Sequence, residues 1–342
     1  MNTRRPTPPQ GTQIMDTATT SRLRVDTYLD ADYFARAFRT DVLEGLTKTP
    51  KRLPPKWFYD DRGSDLFDQI TRLPEYYPTE AERSILTSQA DSIAEASGAD
   101  TLVELGSGTA DKTRVLLNAM SKTGQLARFV PFDVSEGILR SSSAELLDEY
   151  PDLVISGVVG DFAHHLSKIP NEGTRVTALL GGTVGNFDPE ERRAFLENIV
   201  AGMNPDDTVL LGTDLVKDHD RLELAYNDPK GITAEFNKNV LHVLNAGVAA
   251  NFNPENFEHY AKFDVENEWI DIRLRSQVDQ DVRLADLDLD IHFDEGEDLY
   301  TEISAKFTKE RVSAELADVG LDLTEWWTDD RGDYALSLSK LT

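Results

Sequence analysis

The segment from Glu104 to Gly108 reads Glu-Leu-Gly-Ser-Gly and combines a flexible backbone with a carboxylate. Its two glycines let the main chain pass close to a ligand where a side chain would collide. The third glycine of a dinucleotide-binding turn is missing, because position 111 is Asp. Pyrophosphate needs a tight helix start free of carboxylates, whereas a cationic ligand tolerates both acids. The spacing favours S-adenosylmethionine, which carries a sulfonium and no phosphate, with a plain tight turn as the alternative.

Further polar residues follow short apolar runs later in the chain. Asp133 comes roughly 20–30 residues beyond the glycines, where an acid can accept hydrogen bonds from two ribose hydroxyls. Asp161 follows Gly160, and its carboxylate suits an adenine amino group, with Phe162 beside the base. Thr183, Asn186 and Asp214 end the next two apolar runs. Each of these residues alone is compatible with an ordinary turn.

Residues 81–214 alternate between strand and helix patterns, which predicts five parallel strands in a doubly wound α/β sheet. Ligands of such sheets bind beyond the carboxyl ends of the strands. The polar residues above therefore belong to one rim, which favours an enzyme acting on a small molecule. A nicotinamide dehydrogenase is the weaker enzyme alternative, because the third glycine and a plausible acid–base histidine near a strand end are both missing.

The flanking segments have other patterns. Helices are predicted at residues 28–50, 61–73, 80–97, 222–226, 232–250 and 308–319, and alternating strands at 269–275, 282–293 and 299–307. Residues 321–338 predict two further strands that complete the first sheet as an antiparallel pair. Glu302 and Ser304 are two residues apart and share one strand face, which is either a binding face or a solvent-facing one. Prolines pin a loop that carries Tyr76 and Tyr77.

Composition excludes several classes of protein. The chain has 342 residues, a net charge of −27 and no cysteine. Nucleic acid is an unexpected partner, because phosphate binding needs clustered Lys and Arg. Disulfides and thiolate metal sites are excluded, the six histidines have no metal-binding spacing, and a cytoplasmic location is expected. Apolar runs are too short to span a membrane. Residues 1–27 are polar at their start and are predicted to form a disordered tail.

Eight segments of the sequence occur together in one family. They are Lys56-Trp-Phe-Tyr-Asp60, Leu73-Pro-Glu-Tyr-Tyr-Pro78, Glu104-Leu-Gly-Ser-Gly108, Pro131-Phe-Asp133, Gly160-Asp-Phe162, Thr183-Val-Gly-Asn186, Leu211-Gly-Thr-Asp-Leu-Val-Lys217 and Thr301-Glu-Ile-Ser304. Over about residues 28–342 the chain resembles the actinobacterial L-histidine Nα-methyltransferases of ergothioneine biosynthesis. The resemblance implies a Rossmann-like class I methyltransferase domain, mostly parallel with antiparallel C-terminal strands, at residues 81–214 and 307–342. It also implies a second, α+β substrate-binding domain at residues 28–80 and 215–306.

The resemblance also implies roles for single residues and a reaction. Methyl groups would pass from S-adenosylmethionine to the α-amine of L-histidine in three rounds, giving trimethylated histidine (hercynine), in a protein expected to be a monomer. The implied cofactor-binding residues are Gly106, Lys112, Asp133, Asp161, Phe162 and Thr183. Asn186 and Tyr226 would bind the carboxylate, Tyr59 and Asn186 the amine, and Tyr76, Glu302 and Ser304 the imidazole.

One residue departs from the family pattern and leaves alternatives open. Ile272 stands where the best-known members carry Met beside the imidazole pocket, so the same chemistry on tryptophan or tyrosine is the alternative. A non-catalytic protein that keeps the fold as a sensor is the alternative from another class. Methyl transfer itself needs mainly a positioned, neutral amine.

Overall fold

The computed structural model describes residues 22–108 and 110–342. Most of the predicted tail, residues 1–21, lies outside the described residues. The tail prediction was wrong for residues 23–27, because they form strand β1 (Leu23–Thr27) in parallel pairing with Ile155–Val159. A short segment with so little apolar area gains its stability from the hydrogen bonds of a sheet edge, which a local sequence pattern does not reveal.

The described chain alternates between strands and helices for most of its length. The strands are β1 (Leu23–Thr27), β2 (Lys51–Arg52), β3 (Thr101–Leu105), β4 (Arg128–Asp133), β5 (Val154–Val159), β6 (Arg175–Leu179), β7 (Thr208–Asp214), β8 (Phe257–Asp264), β9 (Trp269–Ser276), β10 (Gln280–Leu284), β11 (Leu289–Phe293), β12 (Asp298–Ala305), β13 (Leu321–Thr328) and β14 (Tyr334–Leu341). The helices are α1 (Tyr33–Thr47), α2 (Asp61–Ile70), α3 (Pro78–Ser97), α4 (Asp111–Lys122), α5 (Glu136–Glu149), α6 (Phe162–His165), α7 (Pro189–Val200), α8 (His219–Tyr226), α9 (Ile232–Gly247) and α10 (Lys309–Asp318). No helix of the described part combines the length and apolar character required to cross a bilayer.

The larger sheet has eight strands in the order β1-β5-β4-β3-β6-β7-β14-β13. Six strands of this sheet run parallel, namely β1, β3, β4, β5, β6 and β7, and β14 and β13 pair antiparallel at one edge. Strands β3, β6 and β7 are buried along their whole length, as expected for strands covered by helices on both faces. The predicted doubly wound sheet with an antiparallel C-terminal pair is confirmed.

A second sheet of four strands, ordered β2-β12-β9-β8, packs with helices α1, α2 and α9. Its core is separate from the core of the larger sheet and contains Phe38, Phe58, Phe236 and Leu274. Strand β8 was missed in the sequence. The single strand predicted at 282–293 was also wrong, because it folds as the hairpin β10–β11 around a turn at Asp288, whose φ is 49°.

The two sheets are joined where β7 and β12 end. The amide of Phe307 donates to the carbonyl of Asp214 at 2.8 Å, and the amide of Val216 donates to the carbonyl of Phe307 at 2.9 Å. These bonds place the last residues of β12 beside the carboxyl end of β7. Residues from both sheets therefore converge on the rim that the sequence predicts as the ligand site.

Candidate active site

The glycine turn after β3 has the open backbone predicted for a cofactor site. Gly106 and Gly108 have φ angles of 76° and 47°, and a Cβ added at Gly108 would meet no atom within 4 Å. The Ser107 side chain is buried, and its hydroxyl has no hydrogen-bond partner among the described residues. Such buried orphan groups are rare in folded proteins and indicate an unfilled polar contact. The turn therefore offers both space and an unused hydroxyl to a ligand.

Asp133 and Asp161 lie at the ends of neighbouring strands, as predicted. One Asp133 oxygen accepts from the amide of Gly108 at 3.1 Å, and the other accepts from the amide of Ser135 at 2.9 Å. These bonds fix the carboxylate beside the glycine turn. Asp161 caps helix α6 through the amide of Ala163 at 2.8 Å, and its other oxygen accepts from the Tyr33 hydroxyl at 3.0 Å.

Phe162 lies at the same end of the rim as Asp161. Its ring stacks on Phe132 with centroids 5.4 Å apart, and a Cβ at Gly106 would lie 3.7 Å from its Cζ. An aromatic face close to the glycine turn suits a stacked base. Tyr33, which the sequence did not single out, comes from helix α1 and approaches the rim next to Asp161.

Lys112 and Thr183 lie on the other side of the glycine turn from Asp133 and Asp161. The Lys112 ammonium pairs with Glu82, whose second oxygen accepts from the amide of Gly181 at 2.7 Å and from the Tyr334 hydroxyl at 3.0 Å. Glu82 is 1% exposed, so this carboxylate is a buried anchor that holds Lys112 in place. Thr183 turns its hydroxyl back to the carbonyl of Leu180 at 3.1 Å.

Glu302 and Asn186 connect the second sheet to the rim. The Asn186 amide nitrogen donates to Glu302 Oε1 at 2.8 Å and to the carbonyl of Ile303 at 2.9 Å. Burial raises the pKa of the Glu302 carboxyl to about 7, and Lys306 and Asn186 lower it only in part. Both amide hydrogens of Asn186 are used, whereas its carbonyl oxygen accepts no hydrogen bond from the described residues. That oxygen is free to accept from a substrate amine.

Ser304 and Tyr226 form a second polar group next to Glu302. Their oxygens are 2.8 Å apart, and both accept from the ammonium of Lys306, at 2.7 Å and 2.9 Å. Lys306 also pairs with Asp214 at 2.8 Å. A carboxylate, two hydroxyls and an amide thus lie close together at the end of β12, where they can bind the polar groups of a ligand.

Aromatic side chains form the remaining wall. Tyr59 is 48% exposed and meets Phe67 and Phe236 edge-on, with centroids 5.5 and 5.4 Å apart. Tyr76 meets Tyr226 at 6.0 Å in the same geometry. An ordinary tyrosine hydroxyl has a pKa of about 10. The protein groups crowded around Tyr59, followed by the charge of Glu302, raise its pKa further, so this half-exposed phenol keeps its proton at neutral pH. Aromatic faces in such a wall suit a methylated ammonium group.

Ile272 shares one face of the second sheet with Glu302. It pairs with Glu302 across strands β9 and β12, but its side chain is 2% exposed and lies in a cluster with Leu222 and Tyr226. It supports Tyr226 by packing. Its assignment to substrate binding stays a prediction.

All thirteen predicted site residues lie at the rim or at the end of the second sheet next to it. Residues that the sequence did not identify are Tyr33, Glu82, Lys306 and Tyr334. Lys306 and Glu82 are buried ionisable groups, and no periodic pattern distinguishes a buried lysine from an exposed one. The proximity of Lys306 to the Thr301-Glu-Ile-Ser304 motif was the one available signal.

The residues on the rim fit S-adenosylmethionine. The orphan Ser107 hydroxyl, the open space at Gly108 and the fixed Asp133 carboxylate supply polar contacts beside the turn. Carboxylates dominate these contacts, which suits a cationic cofactor and opposes a pyrophosphate. Gly106, Lys112, Asp161, Phe162 and Thr183 would complete the cofactor site.

Comparison with known proteins agrees with this geometry. The family model for SAM-dependent, histidine-specific methyltransferases matches residues 38–341. The chain is 54% identical to a histidine N-alpha-methyltransferase of Mycolicibacterium smegmatis and 51% identical to one of Mycobacterium tuberculosis, with 93% of this chain and 99% of each relative covered. It is 29% identical to an L-tryptophan methyltransferase of Psilocybe serbica, with 87% of this chain and 91% of that relative covered. The chain therefore belongs to the family of S-adenosylmethionine-dependent, histidine-specific methyltransferases.

Proposed function

We propose that this protein transfers methyl groups from S-adenosylmethionine to the α-amino nitrogen of L-histidine. Three successive rounds give Nα-trimethylhistidine, or hercynine, the first step of ergothioneine biosynthesis. The bond from Asn186 to Glu302 at 2.8 Å carries the proposal. Asn186 follows β6 on the cofactor rim, and Glu302 lies on β12 of the second sheet. A ligand held by both residues lies next to the cofactor site.

Recognition of the imidazole ring is assigned to Glu302 and Ser304. A neutral imidazole has one N–H donor and one nitrogen acceptor. The Glu302 carboxylate accepts from the ring N–H, and the Ser304 hydroxyl donates to the other nitrogen. An amino acid without a ring donor leaves the carboxylate with only its bond from Asn186, which is costly and disfavours apolar substrates.

Binding of the backbone end of histidine is assigned to Tyr226, Asn186 and Tyr59. The Tyr226 hydroxyl donates to the substrate carboxylate. The Asn186 carbonyl oxygen accepts one N–H of the amine, because both hydrogens of its own amide are already used. The Tyr59 oxygen accepts a second N–H, and the raised pKa of this phenol keeps it from acting as a resting phenolate base.

The chemistry requires a neutral amine with its lone pair aimed at an electrophilic methyl carbon. Bound S-adenosylmethionine supplies that methyl group on a sulfonium. The desolvated pocket disfavours the ammonium form of the substrate, so the amine gives up its proton to water without a strong base. Each transfer breaks the bond from the methyl carbon to sulfur, forms the N–C bond and would leave a methylated ammonium beside a neutral thioether. After the first and second rounds the nitrogen releases one proton to water, which restores the lone pair for the next transfer. Tyr59 and Asn186 orient the nitrogen, and the aromatic wall accepts the growing methyl bulk through cation–π contacts.

The decisive experiment incubates the protein with S-adenosylmethionine and histidine, tryptophan or tyrosine, and measures product masses. We expect mono-, di- and trimethylated histidine, with release of S-adenosylhomocysteine. Trimethylation of tryptophan or tyrosine without trimethylated histidine would establish the alternative substrate, which the Psilocybe relative makes worth testing. Uptake of ligand without any release of S-adenosylhomocysteine would establish a non-catalytic binder.

Replacement of Glu302 by Ala tests the assigned specificity. By calorimetry, the variant should lose far more affinity for histidine than for phenylalanine, because the imidazole has an N–H for the carboxylate and the phenyl ring has none. Tryptophan is a poorer comparator, because its indole also carries an N–H. Equal losses with histidine and phenylalanine would contradict this role of Glu302.

We further propose that the second sheet and its helices, residues 28–80 and 215–306, act as the substrate-binding domain of a cytoplasmic monomer. The pocket supports a monomer, because one chain supplies its residues from both sheets. Light scattering coupled to size-exclusion chromatography would test this, and a dimer mass at assay concentration would refute it. The composition, with no cysteine and a net charge of −27, supports a reducing compartment and a partner that is a small molecule and not nucleic acid.

A further inference from the structure

A lysine with no solvent exposure lies directly behind the predicted histidine pocket. Lys306 is the first residue after strand β12, and its side chain is 0% exposed. Its ammonium donates to Asp214 at 2.8 Å, Tyr226 at 2.9 Å and Ser304 at 2.7 Å. An ammonium has three N–H groups, so every donor is used. The hydrogen bonds of Lys306 therefore all go to these three residues, and its charge acts on Glu302 as well.

A second lysine makes this arrangement unusual. Lys217 also pairs with Asp214, at 2.6 Å, and donates to the Tyr77 hydroxyl at 2.7 Å. Burial alone would raise the pKa of Asp214, but the two ammonium groups lower it below its ordinary value. Asp214 thus stays compensated by Lys217 when Lys306 is neutralised. Burying a second cation costs folding free energy and is not needed to balance this carboxylate.

The hydrogen atoms around Lys306 explain what the second cation does. The Tyr226 and Ser304 oxygens each accept one N–H from Lys306, and each hydroxyl still has one hydrogen. In the free protein one of these hydrogens joins the two hydroxyls, whose oxygens are 2.8 Å apart. When histidine binds, both hydrogens can turn to the substrate while Lys306 continues to hold both oxygens.

We propose that Lys306 is a positioning residue that directs the Tyr226 and Ser304 hydroxyls to donate to the substrate carboxylate and to the imidazole nitrogen. The inference rests on the proposed function, because it assigns both hydroxyls to histidine. Its buried positive charge also strengthens their donation, since an oxygen that accepts from a cation becomes a better donor. One buried residue thereby couples recognition of the two ends of the amino acid.

The test compares Lys306→Met with Lys217→Met. Methionine has nearly the volume of lysine without its charge, and both variants remove a buried cation from Asp214. Only Lys306 contacts the two hydroxyls. We expect Lys306→Met to raise the KM for histidine about 10- to 100-fold, the range for loss of charge-assisted hydrogen bonds. Calorimetry should show the Kd for S-adenosylhomocysteine within about twofold of the wild type.

Lys217→Met should change the KM for histidine by less than about threefold. Equal KM increases in the two lysine variants, or an unchanged KM in Lys306→Met, would overturn the proposal. A second measurement places Lys306→Met in a protein that already carries Tyr226→Phe and Ser304→Ala. There it should raise KM much less than in the wild type, because its two hydroxyl targets are gone and only its charge effect on Glu302 remains. A full additional increase would contradict the inference.

The two proposals fail in different ways. If the wild-type protein makes no methylated histidine, the proposed function fails regardless of the lysine variants. If the wild type makes hercynine and only the Lys306 result differs from expectation, the role of Lys306 alone is wrong.

Discussion

Replacing Glu302 by Gln should stabilise the free protein and at the same time weaken its use of histidine. The pKa of this carboxyl is raised from 4.5 to about 7, mainly by burial. Folding therefore favours the protonated form, whose stabilising contribution is complete below pH 4.5 and is lost as the pH rises through 7. Glutamine is neutral at every pH and can still accept the hydrogen bond from Asn186.

The size of both effects follows from the environment of the carboxyl. This shift in the pKa of Glu302 corresponds to a difference in free energy between its two protonation states of at most about 3 kcal/mol. Glu302 is only partly buried as a residue, so solvent in the pocket reduces the gain in stability to about 1–3 kcal/mol above pH 8. A hydrogen bond to a charged acceptor contributes about 1.5–3 kcal/mol, so loss of the carboxylate should lower kcat/KM for histidine about 10- to 100-fold.

Two measurements check this prediction. Denaturant unfolding of both proteins between pH 5 and 9 should show a stability difference that grows as the pH rises through 7. A second carboxyl with a pKa near 7, Glu104, is present in both proteins and cancels in this difference. The ratio of kcat/KM for the wild type to that of the variant should fall from its plateau above pH 8 towards one near pH 5, because protonated Glu302 resembles glutamine.

The ratio is informative because ionisation of histidine itself affects both proteins equally. A ratio that stays constant from pH 5 to 9 would show that Glu302 keeps one protonation state throughout, and the assigned acceptor role with a pKa near 7 would be refuted. A variant that is less stable than the wild type at pH 8 would show that the carboxylate is not penalised by burial.

Three further predictions concern the rim and the pocket wall. Asp133→Ala should weaken binding of S-adenosylhomocysteine about 100-fold, because both the predicted ribose contacts and the support of the glycine turn are lost. Calorimetry measures this Kd, and a change below threefold would contradict the role of Asp133. Glu82→Gln should weaken binding of the same ligand about tenfold, because the variant no longer holds Lys112 by an ion pair. The KM for histidine at saturating cofactor should change little. An unaltered Kd would show that Glu82 does not support the cofactor site through Lys112. Ile272→Met should cost less than about 1.5 kcal/mol of stability and keep histidine as the preferred substrate, since the side chain is buried in an apolar cluster with Leu222, Ile270 and Tyr226. Methylated tryptophan as the main product, measured by mass, would show instead that Ile272 sets the substrate preference.

Much of the cofactor rim could be predicted from local patterns. Asp133 ends the short strand β4 and Asp161 follows β5, and the carboxyl ends of parallel strands meet at one edge of a sheet. Strands β1 and β8 escaped prediction, because β1 depends on pairing with β5 and the alternation of β8 is weak. Pairing partners distant in the chain decide such strands, and a window of sequence does not contain them.

The sequence alone determined the chemistry of the rim, because strand ends, glycine turns and the spacing of Glu302 and Ser304 are local properties of the chain. Only the tertiary structure decided how the two halves of the site meet. Asn186 reaches Glu302 across 116 positions, and Tyr33 reaches Asp161 across 128. The raised pKa of Glu302 and the burial of Lys306 arise from the same packing. Desolvation and charge pairing depend on what surrounds a group in space, and neighbours along the chain do not specify that.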